Sequence, residues 1–263
     1  MSDRVIITEN GPVATVTLSR PEKRNALDLP MIEGIVEAAA SLKVRRDIRA
    51  VVLTGAGEAF CAGLDVSAMP MLAKVAGEAG FQTRTHGASN LFQATAMAWA
   101  ELPQPVIAAI HGYAFGGGFQ IMLGADMRVA APDTRFSIME GRWGLVPDMG
   151  GMVLMRRLAR GDIIRRLTYT AEQFSATQAR DWGFVTELDT DPLARAQTLA
   201  AEIAAKSPDA VRAAKALITE TELLGVGETL IAESAAQEKL VGTPNQMEAV
   251  MAGMQKRDPV FRN

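Results

Sequence analysis

Ala50-Val51-Val52-Leu53-Thr54 runs into Gly57-Glu58-Ala59-Phe60-Cys61-Ala62-Gly63-Leu64-Asp65, and Val106-Ile107-Ala108-Ala109-Ile110 runs into His111-Gly112-Tyr113-Ala114-Phe115-Gly116-Gly117-Gly118. Each is an apolar strand-like run followed directly by a glycine-bearing loop. Glycine lets the backbone turn tightly and lets a ligand approach bare N–H groups, and a helix that starts at such a loop adds its positive dipole end. Two such loops can aim two backbone N–H donors at one oxygen, which is what an oxyanion hole requires.

Outward from these loops the pattern is mixed. Val5-Ile6-Ile7-Thr8 and Val13 to Leu18, separated by Glu9-Asn10-Gly11-Pro12, predict a hairpin. Met31 to Lys43 has helical spacing, with apolar residues at Met31, Ile35, Ala38, Ala39 and Leu42. The strand-then-helix order recurs at 106–110 and 118–125, so repeated β-to-helix units of an α/β fold are expected. Met127 to Ala131 and Arg135 to Ser137 read as short strands, and Gly150 to Arg160, Ile163 to Thr168 and Ser175 to Asp181 as helices. From Leu193 onward alanine, glutamate and lysine dominate, with helical runs at 193–205, 208–224 and 227–240. Two parts are therefore expected: a core over 1–192 and an all-helical appendage over 193–263.

Composition narrows the function classes. The 263 residues, 48% hydrophobic, can bury a large core, and a net charge of −3 with a pI near 5.6 gives no general attraction to nucleic acid. The single cysteine, Cys61, excludes an intramolecular disulfide, and Met1-Ser2-Asp3-Arg4 opens without an apolar signal region, which predicts a cytoplasmic protein. Leu102 to Ala125 lacks Asp, Glu, Lys and Arg and is long enough to span a bilayer. Its glycines, prolines, His111 and Gln120 break the pattern, and a buried strand, a glycine loop and a buried helix account for it better.

Two carboxylates follow the second loop. Glu140, beside Met139, and Asp148, in Gly144-Leu145-Val146-Pro147-Asp148-Met149-Gly150-Gly151, have apolar neighbours that would raise their pKa values and suit them to acid–base work. Each has a structural reading as well, Asp148 as a helix N-cap and Glu140 as a surface turn carboxylate. Gln120, in an apolar stretch, is a buried amide satisfied by backbone or a group facing a ligand. His111 fixes its loop rather than catalyses, because nothing nearby completes a triad, and Cys61 with His86 and His111 makes no metal site. Met69, Met71, Leu72, Phe81, Phe92 and Met97 are candidates for an apolar tail site and equally for core.

In order along the chain, Arg20-Pro21 with Asn25-Ala26-Leu27, Phe60 to Asp65, Gly112 to Gly118, Ala125-Asp126, Gly144-Leu145 with Pro147 and Gly150-Gly151, and Lys256-Arg257 with Phe261 resemble the crotonase (enoyl-CoA hydratase/isomerase) superfamily. The resemblance implies a spiral of ββα units whose C-terminal helices build trimers, often paired into hexamers. It also implies an acyl-CoA thioester as substrate, with no metal or redox cofactor. By position, the N–H groups of Leu64 and Gly117 would hold the thioester oxygen, Lys23, Arg24, Ala62 and Asp65 would border the CoA nucleotide, and Phe261 would close over adenine. Lys23 and Arg24 read equally as solvated surface.

Hydratases of this family hold and activate one water with two glutamates. The second corresponds to Glu140, and Gln120 stands where the first belongs, a side chain that can hydrogen-bond a water but can neither take up nor deliver a proton at neutral pH. Asp148 falls where the family's dienoyl-CoA isomerases have a catalytic aspartate. Double-bond isomerisation is therefore expected ahead of water addition to a 2-enoyl-CoA, with a non-catalytic acyl-CoA binding protein as the alternative outside enzymes.

Overall fold

The computed structural model describes residues 3–78 and 80–263; the side chains of Met71, Ala73, Ala76 and Glu78 lie outside the described set. The chain order is β1 (Val5–Asn10), β2 (Val13–Leu18), α1 (Leu29–Lys43), β3 (Ala50–Gly55), α2 (Met69–Glu78), α3 (Leu91–Ala100), β4 (Val106–Ile110), β5 (Tyr113–Phe115), α4 (Gly117–Leu123), β6 (Met127–Ala130), β7 (Arg135–Ser137), α5 (Gly151–Leu158), α6 (Gly161–Thr170), β8 (Gln173–Ser175), α7 (Ala176–Asp181) and β9 (Glu187–Leu188). Four helices follow: α8 (Pro192–Ala204), α9 (Pro208–Thr221), α10 (Val226–Glu238) and α11 (Pro244–Gln255).

One sheet has the order β1-β2-β3-β4-β6-β9, antiparallel at the first pair and parallel thereafter, and a smaller one has the order β5-β7-β8. After each of β4 and β6 the chain crosses to the small sheet as β5 and β7, which pair in parallel. The crossing after β3 ends in an isolated parallel bridge between Cys61 and Ala114, and the one after β2 in a bridge between Leu27 and Leu64. Each turn thus advances one position in both layers, and that step makes the chain a spiral.

Every residue of β3 and β4 is buried, as expected for parallel strands covered on both faces. One face packs Val16, Leu18, Val51, Leu53, Ala108 and Ile110 with α1 and α3. The other packs Val13, Val52, Ile107, Ala109 and Val129 against Ala196, Ala200 and Ala204, a four-residue repeat along one side of α8. Alanine lets that helix lie close over β2, β3, β4 and β6.

Helices do occupy residues after 193, but the break at 192/193 is no break in packing, because α8 supplies the second face of the sheet. The next helix, α9, is fastened too. Lys215 Nζ, buried, donates to Trp99 O, Gln104 O and Asp126 Oδ2 (2.8 Å), and Arg212 donates to Arg46 O and Ile48 O.

Several elements depart from expectation. The loop at 111–118 contains β5, since Tyr113 to Phe115 pair with Arg135 to Ser137. Ser175, read as the first residue of a helix, ends β8 and caps α7, which begins at Ala176. The 66–100 stretch, given no element in the sequence, forms α2 and α3. In α3 apolar side chains surround the axis, which erases the amphipathic signal, yet Asn90 and Gln93 close a capping box at its start. No described helix is long and apolar enough to cross a membrane, and Leu102 to Ala125 resolves into β4, β5 and α4.

Candidate active site

Two bonding patterns bring the glycine loops together. Leu27 N donates to Gly63 O and Asp65 N to Leu27 O, so alternation along the backbone turns the Leu64 N–H to the opposite side. That side meets the second loop, where Phe115 N donates to Cys61 O and a Cβ built on Gly63 would lie 2.7 Å from Phe115 O and 3.7 Å from Gly117 N. Gly63 has φ +90, so both its space and its backbone require glycine. Gly117 is the first residue of α4, and its N–H has no acceptor within the helix. Leu64 and Gly117 line one cavity of about 750 Å³.

The loop carrying Leu64 is braced from 20–28. Asn25, fully buried, accepts from Arg20 N and donates to Ala59 O (2.7 Å), Ala56 O and Phe60 O. Arg20 ion-pairs with Asp65 at 2.7 Å and also donates to Ala26 O. Asp65 further accepts from Ser67 N and Oγ, and these bonds, with Arg20, hold its carboxyl at about 2. Cys61 is buried in this loop with its thiol pushed up to about 12, an inert core residue whose Sγ contacts Asn25 O at 3.1 Å. His111 Nε2 lies 3.0 Å from Gly57 O and fixes its loop.

Glu140 and Asp148 stand on the wall of the same cavity. Burial pushes Glu140 above the ordinary carboxylate range and the charge of Asp148 adds to this, while a hydrogen bond from Gln120 works against it. Glu140 Oε1 accepts from Gln120 Nε2 at 2.6 Å; Oε2 is buried without a partner. Asp148 is raised by desolvation as well. The N-cap reading of Asp148 does not hold: the cap residue of α5 is Gly150, with φ +86 and no capping side chain.

Gln120 lies behind this wall, fully buried and outside the cavity lining. Its Oε1 accepts from Met149 N and Gly151 N, both at 2.9 Å. Apart from Lys23 and Asp65, the rest of the lining is apolar and includes Met69, Leu72, Phe81 and Phe92 from the tail candidates. Met97 stands instead beside Gly150, outside that lining, and the side chain of Met71 lies outside the described residues.

A family model described as enoyl-CoA hydratase/isomerase matches residues 8–263. This chain belongs to the enoyl-CoA hydratase/isomerase family. It is 32% identical to YngF of Bacillus subtilis (strain 168) over 266 residues, with 100% of this chain and 99% of that protein covered. It is 31% identical to the carnitinyl-CoA dehydratase of Salmonella enteritidis PT4 (strain P125109), with the same coverage. The crystal structure of an enoyl-CoA hydratase from Bacillus anthracis superposes with a TM-score of 0.90 at 28% identity, covering 98% of this chain and 99% of the other.

Within this family frame, the chain brings Leu64, Gly117, Glu140, Asp148, Lys23, Ala62 and Asp65 to one cavity. Besides Gln120, two candidates stand elsewhere. Arg24 has its guanidinium 5.7 Å from the Tyr113 ring centroid, a cation–π contact at the surface. Phe261 lines a separate cleft with Lys206, Ala252 and Arg257, where its carbonyl accepts from Arg49. Sequence reasoning missed Met139, Trp143, Val146 and Met149 as lining residues. Their signal was the run of apolar residues around both carboxylates.

Proposed function

We propose that this chain shifts a double bond along an unsaturated acyl-CoA thioester, in the manner of the dienoyl-CoA isomerases of its family. The observation that carries the reading is that Glu140, half-buried, and Asp148, open to the cavity, line the space that Leu64 and Gly117 also line, both with raised pKa values, while Gln120 stands outside it. The Leu64 and Gly117 N–H groups hold the thioester oxygen and stabilise the dienolate. One carboxylate withdraws a proton from one carbon and the other carboxyl delivers a proton to a second. One C–H bond breaks and one forms, so the composition of the acyl group does not change. Burial raises Glu140 and the charge of Asp148 raises it further, the direction that lets Glu140 hold the proton this exchange needs. The apolar wall built by Met69, Leu72, Phe81 and Phe92 suits a hydrocarbon tail, and Lys23 and Asp65 border the CoA end.

A hydratase is the second reading, favoured by the name of the Bacillus anthracis structure, with Glu140 alone activating water. The reactions separate on 3,5-dienoyl-CoA and 2-enoyl-CoA as substrates. Isomerisation should dominate, and Glu140→Gln and Asp148→Asn should each lower it by about 10²–10⁴-fold. Near-wild-type isomerisation in Asp148→Asn, or hydration as the faster reaction of the wild type, overturns the isomerase reading.

A further inference from the structure

Gln120 carries a pattern of bonds that neither reaction uses directly. The amide is fully buried, so its partners are protein groups, and its orientation is unambiguous. Two backbone donors, Met149 N and Gly151 N, converge on one atom, which must be the carbonyl oxygen. The amide nitrogen then faces Glu140 Oε1 at 2.6 Å. Gly151 is part of the same device. A Cβ there would sit 2.5 Å from Gln120 Oε1, so only glycine lets the turn after Asp148 close on the amide.

We propose that Gln120 is a positioning residue that ties the two proton carriers into one rigid unit, its N–H fixing Glu140 Oε1 and its carbonyl fixing the Met149–Gly151 turn beside Asp148. The inference rests on the reading of Glu140 and Asp148 as proton carriers. Glu140 Oε2 is buried without a partner, so the bond from Gln120 to Oε1 is what orients this carboxyl. Glutamine suits the position where glutamate does not. A carboxylate at 120 could accept from both backbone donors, but its other oxygen would face Glu140 Oε1 at hydrogen-bond distance, and the two could share that contact only through a proton. The amide supplies a permanent donor and takes no part in proton exchange between Glu140 and Asp148.

The charged surroundings of Glu140 are simple. Its own turn carries Arg142, and α6, packed against that turn, carries Asp162, Arg165, Arg166 and Tyr169; Lys23 and Asp65 stand on the same cavity lining. Asp148 is the one whose charge contributes to the shift of Glu140.

The test compares Gln120→Met, which keeps the bulk and removes every bond, with Gln120→Glu, which keeps the acceptor and removes the donor. The titration of Glu140 is followed by carbon NMR of protein labelled at glutamate carboxyls, its signal assigned by loss in Glu140→Gln. In both variants Glu140 should titrate at higher pH than in wild type. In Gln120→Met kcat should fall about 10²-fold, with KM for the acyl-CoA within about twofold, the cost of a misplaced group. If Gln120→Met does not fold, Gln120→Glu alone decides. An unchanged Glu140 titration in the folded variants, or a loss confined to KM, overturns the inference. If Glu140 titrates as expected but wild type does not isomerise dienoyl-CoA, the isomerase reading falls and the positioning role stands.

Discussion

Glu140 sits where the protein is worse off for having a charge. Its folded pKa lies above the unfolded value near 4.3 because burial disfavours the carboxylate. The folded state therefore binds more protons than the unfolded state between those two pKa values, and stability falls as pH rises through that window. Below the unfolded value the penalty is absent; above the folded value it is complete. Glu140→Gln, neutral at every pH, should be more stable than wild type at pH 8 and lose that advantage as pH falls towards 4. Thermal unfolding of both proteins across that range measures it, and an equal gap at pH 4 and pH 8 would contradict the assignment. Asp65 behaves oppositely: its pKa of about 2 means that its contribution, present above pH 4, is lost as pH falls through 2. How much of this was legible in the sequence differs by residue. Glu140 and Asp148 were findable from their apolar neighbours. The Gln120 contacts were not, because Gln120 meets Met149 and Gly151 across the fold, about thirty positions on, and no local pattern encodes that distance.

At the scale of elements, the two loops matter more as backbone than as side chains. A folded Gly117→Pro variant lacks one of the two proposed oxyanion donors and should lose about 10²–10³-fold in turnover. A side chain there also has a steric cost, since a Cβ would meet Met149 Sδ at 2.6 Å and Leu27 Cδ1 at 2.8 Å. Gly117→Ala, which adds the same Cβ and keeps the N–H, is the matching control. Turnover in Gly117→Ala should stand well above that in Gly117→Pro; equal losses would assign the effect to crowding. The strands flanking these loops were readable as apolar runs, and β4 was bounded to the residue. Strands β5 and β8 were not readable, since Tyr113 to Phe115 lie within a glycine loop and Ser175 reads as the start of a helix, and both strands depend on pairing with β7 elsewhere in the chain.

The whole molecule leaves one side unfinished. No residue of α10 is buried, and Val226, Leu230 and Ile231 are exposed there, as are Ile218 and Leu223 next to it and Val250, Met251 and Met254 on α11. A soluble monomer rarely presents so many apolar side chains on neighbouring helices. The expected assembly is a trimer or a pair of trimers, measurable by sedimentation at micromolar concentration. Leu230→Glu with Ile231→Glu should shift it towards monomer, and a monomeric wild type would contradict the reading. Helical character after 193 was plain in the composition. That its first helix belongs to the core was not, because an alanine stripe looks alike on a free helix and on one pressed to a sheet.

That stripe also sets a clock. The sheet face formed by Val13, Val52, Ile107 and Val129 is covered by Ala196, Ala200 and Ala204, which are synthesised roughly 70 residues after the last of those strands. At about 5–20 residues per second, the growing chain carries that face bare for roughly 4–15 s. During this interval four assembled strands would offer an apolar surface to any neighbour, so the order of synthesis and the order of burial oppose each other. An apolar sheet face is thus left open to neighbours on the ribosome until α8 has been made.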